Sequence, residues 1–169
     1  ATGWSGLEIW SDTNGQIKTS DSQAYAQWHT LLNAIAAPQQ GMLASRPGFP
    51  NAFPVGLGNS DSHVPELIGA TFTYAWMEEV SRPQVTGALM QGHCVASNGP
   101  LMFGELNGAR TGEVAFLLAG DSALDVTLNT TPEFGPVGNY TLTVYVNGAV
   151  RATIAPTGDP AYSAIFRLE

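Results

Sequence analysis

VGLGNSDSHVPELIG, residues 55–69, begins as an apolar run through Val55 and Leu57, broken by two glycines, and then gathers Asn59, Ser60, Asp61, Ser62 and His63 into one polar cluster. The run is predicted to be a buried strand and the cluster its carboxyl end, which is where α/β proteins keep their chemistry. Residues two apart on an extended chain point the same way and lie roughly 6.6 Å apart along it, so Asp61 and His63 are expected to reach into one cleft. A carboxylate and an imidazole at that pitch can ligate one metal ion or two neighbouring ones, and such donors suit zinc, manganese or iron. The competing expectation is a surface turn in which Ser and Asp satisfy backbone groups.

Upstream, residues 7–10 read as a short apolar strand carrying Glu8, and residues 11–20 as a polar loop with Asn14-Gly15 as its turn signal. Ser20 or Asp21 can cap a helix whose apolar positions Tyr25, Trp28, Leu31, Leu32 and Ile35 recur at three and four residues, and Pro38 stops it. A Pro- and Gly-rich loop over residues 38–54 then leads back into the strand at Val55. Strand, helix and strand in that order form a β-α-β unit and favour a parallel sheet.

Downstream, residues 71–76 alternate Thr with Phe72, Tyr74 and Trp76, a half-buried strand pattern. Ser81-x-x-Gln84 matches a capping box with Pro83 in the first turn, which predicts a short helix over residues 81–91 ended by Gly92. Residues 94–97 return as a strand, and Ser97-Asn98-Gly99-Pro100 makes a turn in which Asn98 can take a left-handed conformation. From Pro100 the helical period disappears. Residues 101–106, 114–119, 124–129, 140–146, 149–154 and 162–168 all read as strands, with Asn107-Gly108 and Asn147-Gly148 as hairpin signals. Six strands at short spacing predict a compact antiparallel β-sandwich, with the boundary near residues 98–100.

Composition bounds the function. A 169-residue chain that is 44% apolar can bury a core. Six basic residues against 14 acidic ones give a formal charge of -8, which repels a phosphate backbone, and no basic cluster overrides it, so no nucleic-acid partner is expected. No run approaches the roughly 20 apolar residues of a membrane span. The single Cys94 excludes an intrachain disulfide and, in the apolar run His93-Cys94-Val95-Ala96, reads as an inert buried thiol. One lysine and a Ser/Thr/Asn/Gly-rich surface lean towards a bacterial periplasmic or secreted protein.

Residues 58–63, Gly69, the Thr-aromatic strand, Ala88-Leu89 with Gly92, and Ser97-Asn98-Gly99-Pro100 together resemble the closing part of the PHP (polymerase and histidinol phosphatase) metal-dependent hydrolases. The likeness is strongest to the members with an appended β domain, the carbaryl-hydrolase-like metallohydrolases. Upstream, Gly6-Leu7-Glu8-Ile9-Trp10 resembles a strand of that family and WHTLLN, residues 28–33, the helix after it, so the resemblance covers about residues 3–105.

The resemblance implies an α/β plus all-β chain: residues 1–97 as the C-terminal portion of a PHP-type α/β barrel and residues 98–169 as an antiparallel β-sandwich. The family's final Asp-x-His supplies metal ligands, and this falls on Asp61 and His63 as the catalytic, metal-binding pair for a divalent ion. A metal-activated hydroxide attacks a phosphorus or carbonyl centre at neutral pH, so a small-molecule phosphoester or related ester is the implied substrate. Glu8 and Asn59 then orient a ligand or wall the substrate pocket, and His93 stands where the family often has a basic residue.

The family's N-terminal His-x-His and its intermediate ligands have no counterpart, since the histidines are His29, His63 and His93. His29, between Trp28 and the Leu31-Leu32 pair, reads as a structural group. The resemblance therefore implies an enzyme that is not self-sufficient, its barrel completed by the N-terminal piece of the same precursor. A function of another class fits the same residues: a non-catalytic binding or structural module, with a degenerate barrel remnant and a sandwich for cell-surface or carbohydrate contacts.

Overall fold

The structure is a computed structural model that describes residues 6–11, 18–36, 54–113, 115, 122–158 and 161–168. The chain divides into two compact units, Ala1–Asn98 with Tyr145–Ala149, and Gly99–Val144 with Val150–Glu169. The predicted turn at Asn14-Gly15, most of the loop 38–54 and nearly all of the predicted strand 114–119 lie outside the described residues.

In the first unit β1 (Gly6–Ser11) and β2 (Val55–Asn59) pair in parallel, from Gly6 opposite Val55 to Ser11 opposite Asn59. The helix α1 (Thr19–Ala36) connects them, so the β-α-β expectation holds. Gly56 lets the helix come close: a Cβ there would lie 2.7 Å from Ile9 Cδ1 and 3.1 Å from the Trp28 ring. Trp28 Nε1 donates to the Pro54 carbonyl at 2.8 Å, satisfying the indole of a half-buried ring that packs against the strand.

Asp21 does not take the N-cap position expected of it. It is the third residue of α1, and its carboxylate reaches back to accept the Lys18 N–H at 2.8 Å, the returning half of a capping box. The other carboxylate oxygen accepts the Ser11 N–H at 3.1 Å, so one side chain, 5% exposed, ties the end of β1 to the start of α1.

The antiparallel pair β3 (Phe72–Ala75) and β4 (Cys94–Ser97) is joined by α2 (Arg82–Gln91). Ser81 occupies the N-cap with extended dihedrals, but its side chain makes no cap bond, and the start is secured by Pro in the first turn. Gly92 ends the helix at φ 72, where a glycine carries no Cβ penalty. The Thr73 hydroxyl bonds both backbone groups of Gly58, at 3.0 Å to its nitrogen and 2.8 Å to its oxygen, and so holds β3 against the end of β2. Among the described residues the two strand pairs remain separate sheets and form no closed barrel.

The second unit has a four-stranded antiparallel sheet in the order β10 (Ala161–Leu168), β7 (Ser122–Asn129), β5 (Leu101–Leu106), β6 (Ala109–Arg110). A separate hairpin pairs β8 (Leu142–Val146) with β9 (Ala149–Ile154). Both predicted Asn-Gly turns form, with φ of 50° and 81° at Asn107 and Gly108, and 50° and 79° at Asn147 and Gly148. Two successive positive φ values define the turn whose twist matches the flanking strands. Val126 and Leu128 on alternate positions of β7 are buried, as are Val137, Leu142 and Val144. The all-β part is therefore antiparallel as expected, seen as one sheet and one hairpin.

Candidate functional site

A bulge in β1 sets the faces of the first sheet. Glu8 pairs with Leu57 and Trp10 with Gly58, so two residues on β1 advance against one on β2. In a regular strand Glu8 and Trp10 would share a face; the extra residue turns them to opposite faces. Glu8 thereby joins Leu57, Ser11 and Asn59, while Trp10 joins Gly58.

The Glu8 side chain accepts a hydrogen bond from Asn59 Nδ2. The Asn59 carbonyl oxygen accepts the Asp61 N–H at 2.7 Å, an Asx turn that starts where the strand stops. Asp61 takes a left-handed conformation, φ 44, rather than an extended one. This corrects the expected geometry: Asp61 and His63 come together by a turn and not by strand pitch, with Asp61 Oδ1 4.0 Å from His63 Nε2. The sequence allowed a left-handed backbone at Asn98, which does not adopt it; Asp61 does, as short polar residues can.

The side chains of His63 and Asp61 are 88% and 63% exposed, so their mutual attraction is screened by water and contributes little to stability. Ser62 spends its polar atoms locally, with Oγ donating to the Val64 carbonyl at 2.5 Å and accepting the Val64 N–H at 3.3 Å. Asn59 and Ser62 thus build the turn, and Asp61 and His63 are displayed by it.

His93 does not join them through any side-chain bond described. It sits at the α2–β4 junction, its N–H donating to the Ala88 carbonyl at 2.9 Å and its carbonyl accepting the Trp76 N–H at 2.8 Å. His29 lies in an aromatic cluster on α1, with ring centroids 4.4 Å from Tyr25, 5.6 Å from Trp28 and 5.3 Å from Tyr145. Burial first, then the neighbouring Tyr145, pushes the Tyr25 phenol up.

For a divalent ion the rim offers a carboxylate and an imidazole, and beside them Glu8, already engaged by Asn59. A catalytic zinc takes three protein ligands. Among the described residues no group of three His, Cys, Asp or Glu is arranged to hold a metal ion, so the pair does not complete a centre. Sequence reasoning also overlooked two polar atoms, Trp10 Nε1 and Thr71 Oγ1, which are buried without a hydrogen-bond partner. Nothing in a local pattern marks them, because their isolation depends on what packs around them.

No family model, curated protein or solved structure matches this chain. Among the described residues no helix is long and apolar enough to cross a membrane.

Proposed function

We propose that this chain is part of a PHP-type, metal-dependent hydrolase acting on phosphoesters or related esters, with Asp61 and His63 as two ligands of a divalent zinc, manganese or iron ion. The observation that carries the reading is the 4.0 Å approach of an exposed carboxylate and an exposed imidazole at the end of a parallel strand. Glu8 and Asn59 brace the Asp61 backbone from the neighbouring strand end, as groups behind a metal ligand do. The shortfall of donors is made up by polypeptide outside this sequence, the N-terminal piece of the same precursor.

The test is metal content after dialysis against each ion, for the chain alone and with that N-terminal piece, followed by hydrolysis of phenyl phosphate and phenyl acetate. Bound metal that falls sharply in both Asp61→Ala and His63→Ala supports the reading. Equal metal content in parent and variants overturns it.

A second reading, a binding or structural module, is favoured by Ser62, whose hydroxyl is spent on the local Val64 backbone. It predicts a stable chain without metal-dependent turnover in either assembly.

A further inference from the structure

Leu106-Asn107-Gly108-Ala109 and Val146-Asn147-Gly148-Ala149 are nearly the same sequence, and both form the same tight turn, with positive φ at Asn and Gly alike. The fold treats the two asparagine side chains differently. Asn107 Oδ1 accepts the Ala123 N–H at 2.9 Å, its Nδ2 donates to Ser122 Oγ at 3.4 Å, and its own N–H donates to the Ala123 carbonyl at 3.0 Å, so the amide is held against β7. Asn147 is exposed, and among the described residues no hydrogen bond holds its amide. Glycine is required beside it twice over: φ at Gly148 is 79°, and a Cβ there would overlap the Asn33 side chain on α1, 2.9 Å from its Cγ. The turn therefore keeps an unheld amide next to a backbone nitrogen that no side chain shields. The tip Tyr145–Ala149 belongs to the same compact unit as α1 and meets it along one stripe of the helix. The Tyr145 ring lies 5.3 Å from that of His29, and Gly148 abuts Asn33, about one turn further along.

We propose that Asn147-Gly148 is a site of spontaneous deamidation whose product frees the hairpin tip from α1, and that Asn107-Gly108 is protected from the same reaction. The Gly148 amide nitrogen gives its proton to solvent base and attacks Asn147 Cγ. The new C–N bond closes a succinimide ring as the Cγ–Nδ2 bond breaks and Nδ2 leaves as ammonia. Water then opens the ring, at Cγ to give aspartate or at the Asn147 main-chain carbonyl carbon to give isoaspartate, so ammonia is exchanged for water and nothing is oxidised. Isoaspartate carries the chain through its side-chain carbon and adds a backbone atom to a turn whose paired positive φ values leave no slack. Either product also adds negative charge to a chain already at -8. At Asn107 the same attack has first to break the bonds of the amide to Ala123 and Ser122.

The full chain is aged in mildly alkaline buffer, folded and in urea, and conversion at each asparagine is counted by peptide mapping with mass spectrometry and isoaspartate methyltransferase labelling. In the folded chain Asn147 should convert about 10- to 100-fold faster than Asn107, the cost of opening two neutral hydrogen bonds. In urea, where the near-identical sequences act without the fold, the two rates should converge. Chymotrypsin should cut the aged chain after Tyr145 about 2- to 10-fold faster than the fresh chain, the worth of the ring pair with His29. No conversion at Asn147, equal conversion at both asparagines in the folded chain, or an undiminished gap in urea overturns the site. Conversion at Asn147 with unchanged cleavage after Tyr145 overturns the release of the tip.

Discussion

The Asp61 N–H donates to Asn59 Oδ1 at 2.7 Å, and the same Asn59 side chain donates to Glu8 on the neighbouring strand. Glu8 and Asn59 are 51 residues apart in the chain, so the turn that displays Asp61 and His63 is anchored to a strand from the far side of the β-α-β unit. Asn59→Ala removes both bonds and leaves the ligand pair on an unbraced turn. Zinc affinity of the metal-competent assembly, measured by competition with a chromophoric chelator, should fall about 10- to 100-fold. Unchanged affinity would show that Asn59 only caps the strand.

Asp61 carries its left-handed conformation, φ 44, at a cost that glycine does not bear. Asp61→Gly should therefore match or exceed the parent in urea unfolding, while Asp61→Val should lose about 1–2 kcal/mol. The reverse order would mean that the carboxylate itself stabilises the turn by more than the backbone strain.

Asp21 accepts two backbone N–H groups from separate elements while nearly buried. Asp21→Ala leaves the Ser11 and Lys18 donors without it and should cost about 2–4 kcal/mol by urea unfolding, with Asp21→Asn, which keeps one acceptor, losing roughly half as much. A loss under about 1 kcal/mol in Asp21→Ala would show that water replaces the carboxylate.

Burial raises the Cys94 thiol from its ordinary 9.0 to about 11. The folded chain therefore holds the thiol proton more tightly than the unfolded one. The resulting contribution to stability is whole below pH 9 and is lost as pH rises through 11. Cys94→Ala should flatten that part of the stability profile, and the native thiol should react with a disulfide reagent at pH 8 far more slowly than in urea. Equal rates in both conditions would place the thiol at the surface.

Much of the fold was legible because its rules are local. The three- and four-residue spacing from Tyr25 through Trp28 to Leu32 predicted α1, and Gly92 its counterpart's end, since period and positive φ are properties of a few neighbouring residues. The Asn-Gly pairs at 107–108 and 147–148 predicted two hairpins for the same reason. Ser81 marked a helix start without forming the side-chain bond its pattern suggested, because a cap pattern specifies which groups can bond and packing decides whether they do. His93 was expected at the cleft by analogy of position, and is described only by the backbone bonds that close α2 onto β4.

The sequence by itself determined the order of elements, the parallel β-α-β start, the antiparallel character after Pro100, and Asp61 and His63 as the residues to watch. Only the tertiary structure decided that a bulge between Glu8 and Trp10 leaves one bonded to Asn59 and sets the other in register with Gly58. It also decided that Asp21 is a buried tie at the third helical position rather than the N-cap residue, and that Asp61 meets His63 through a left-handed turn. The physical reason is register: pairing across some 50 residues is set by summed long-range packing, and a one-residue slip reverses every side chain's face without changing any local pattern.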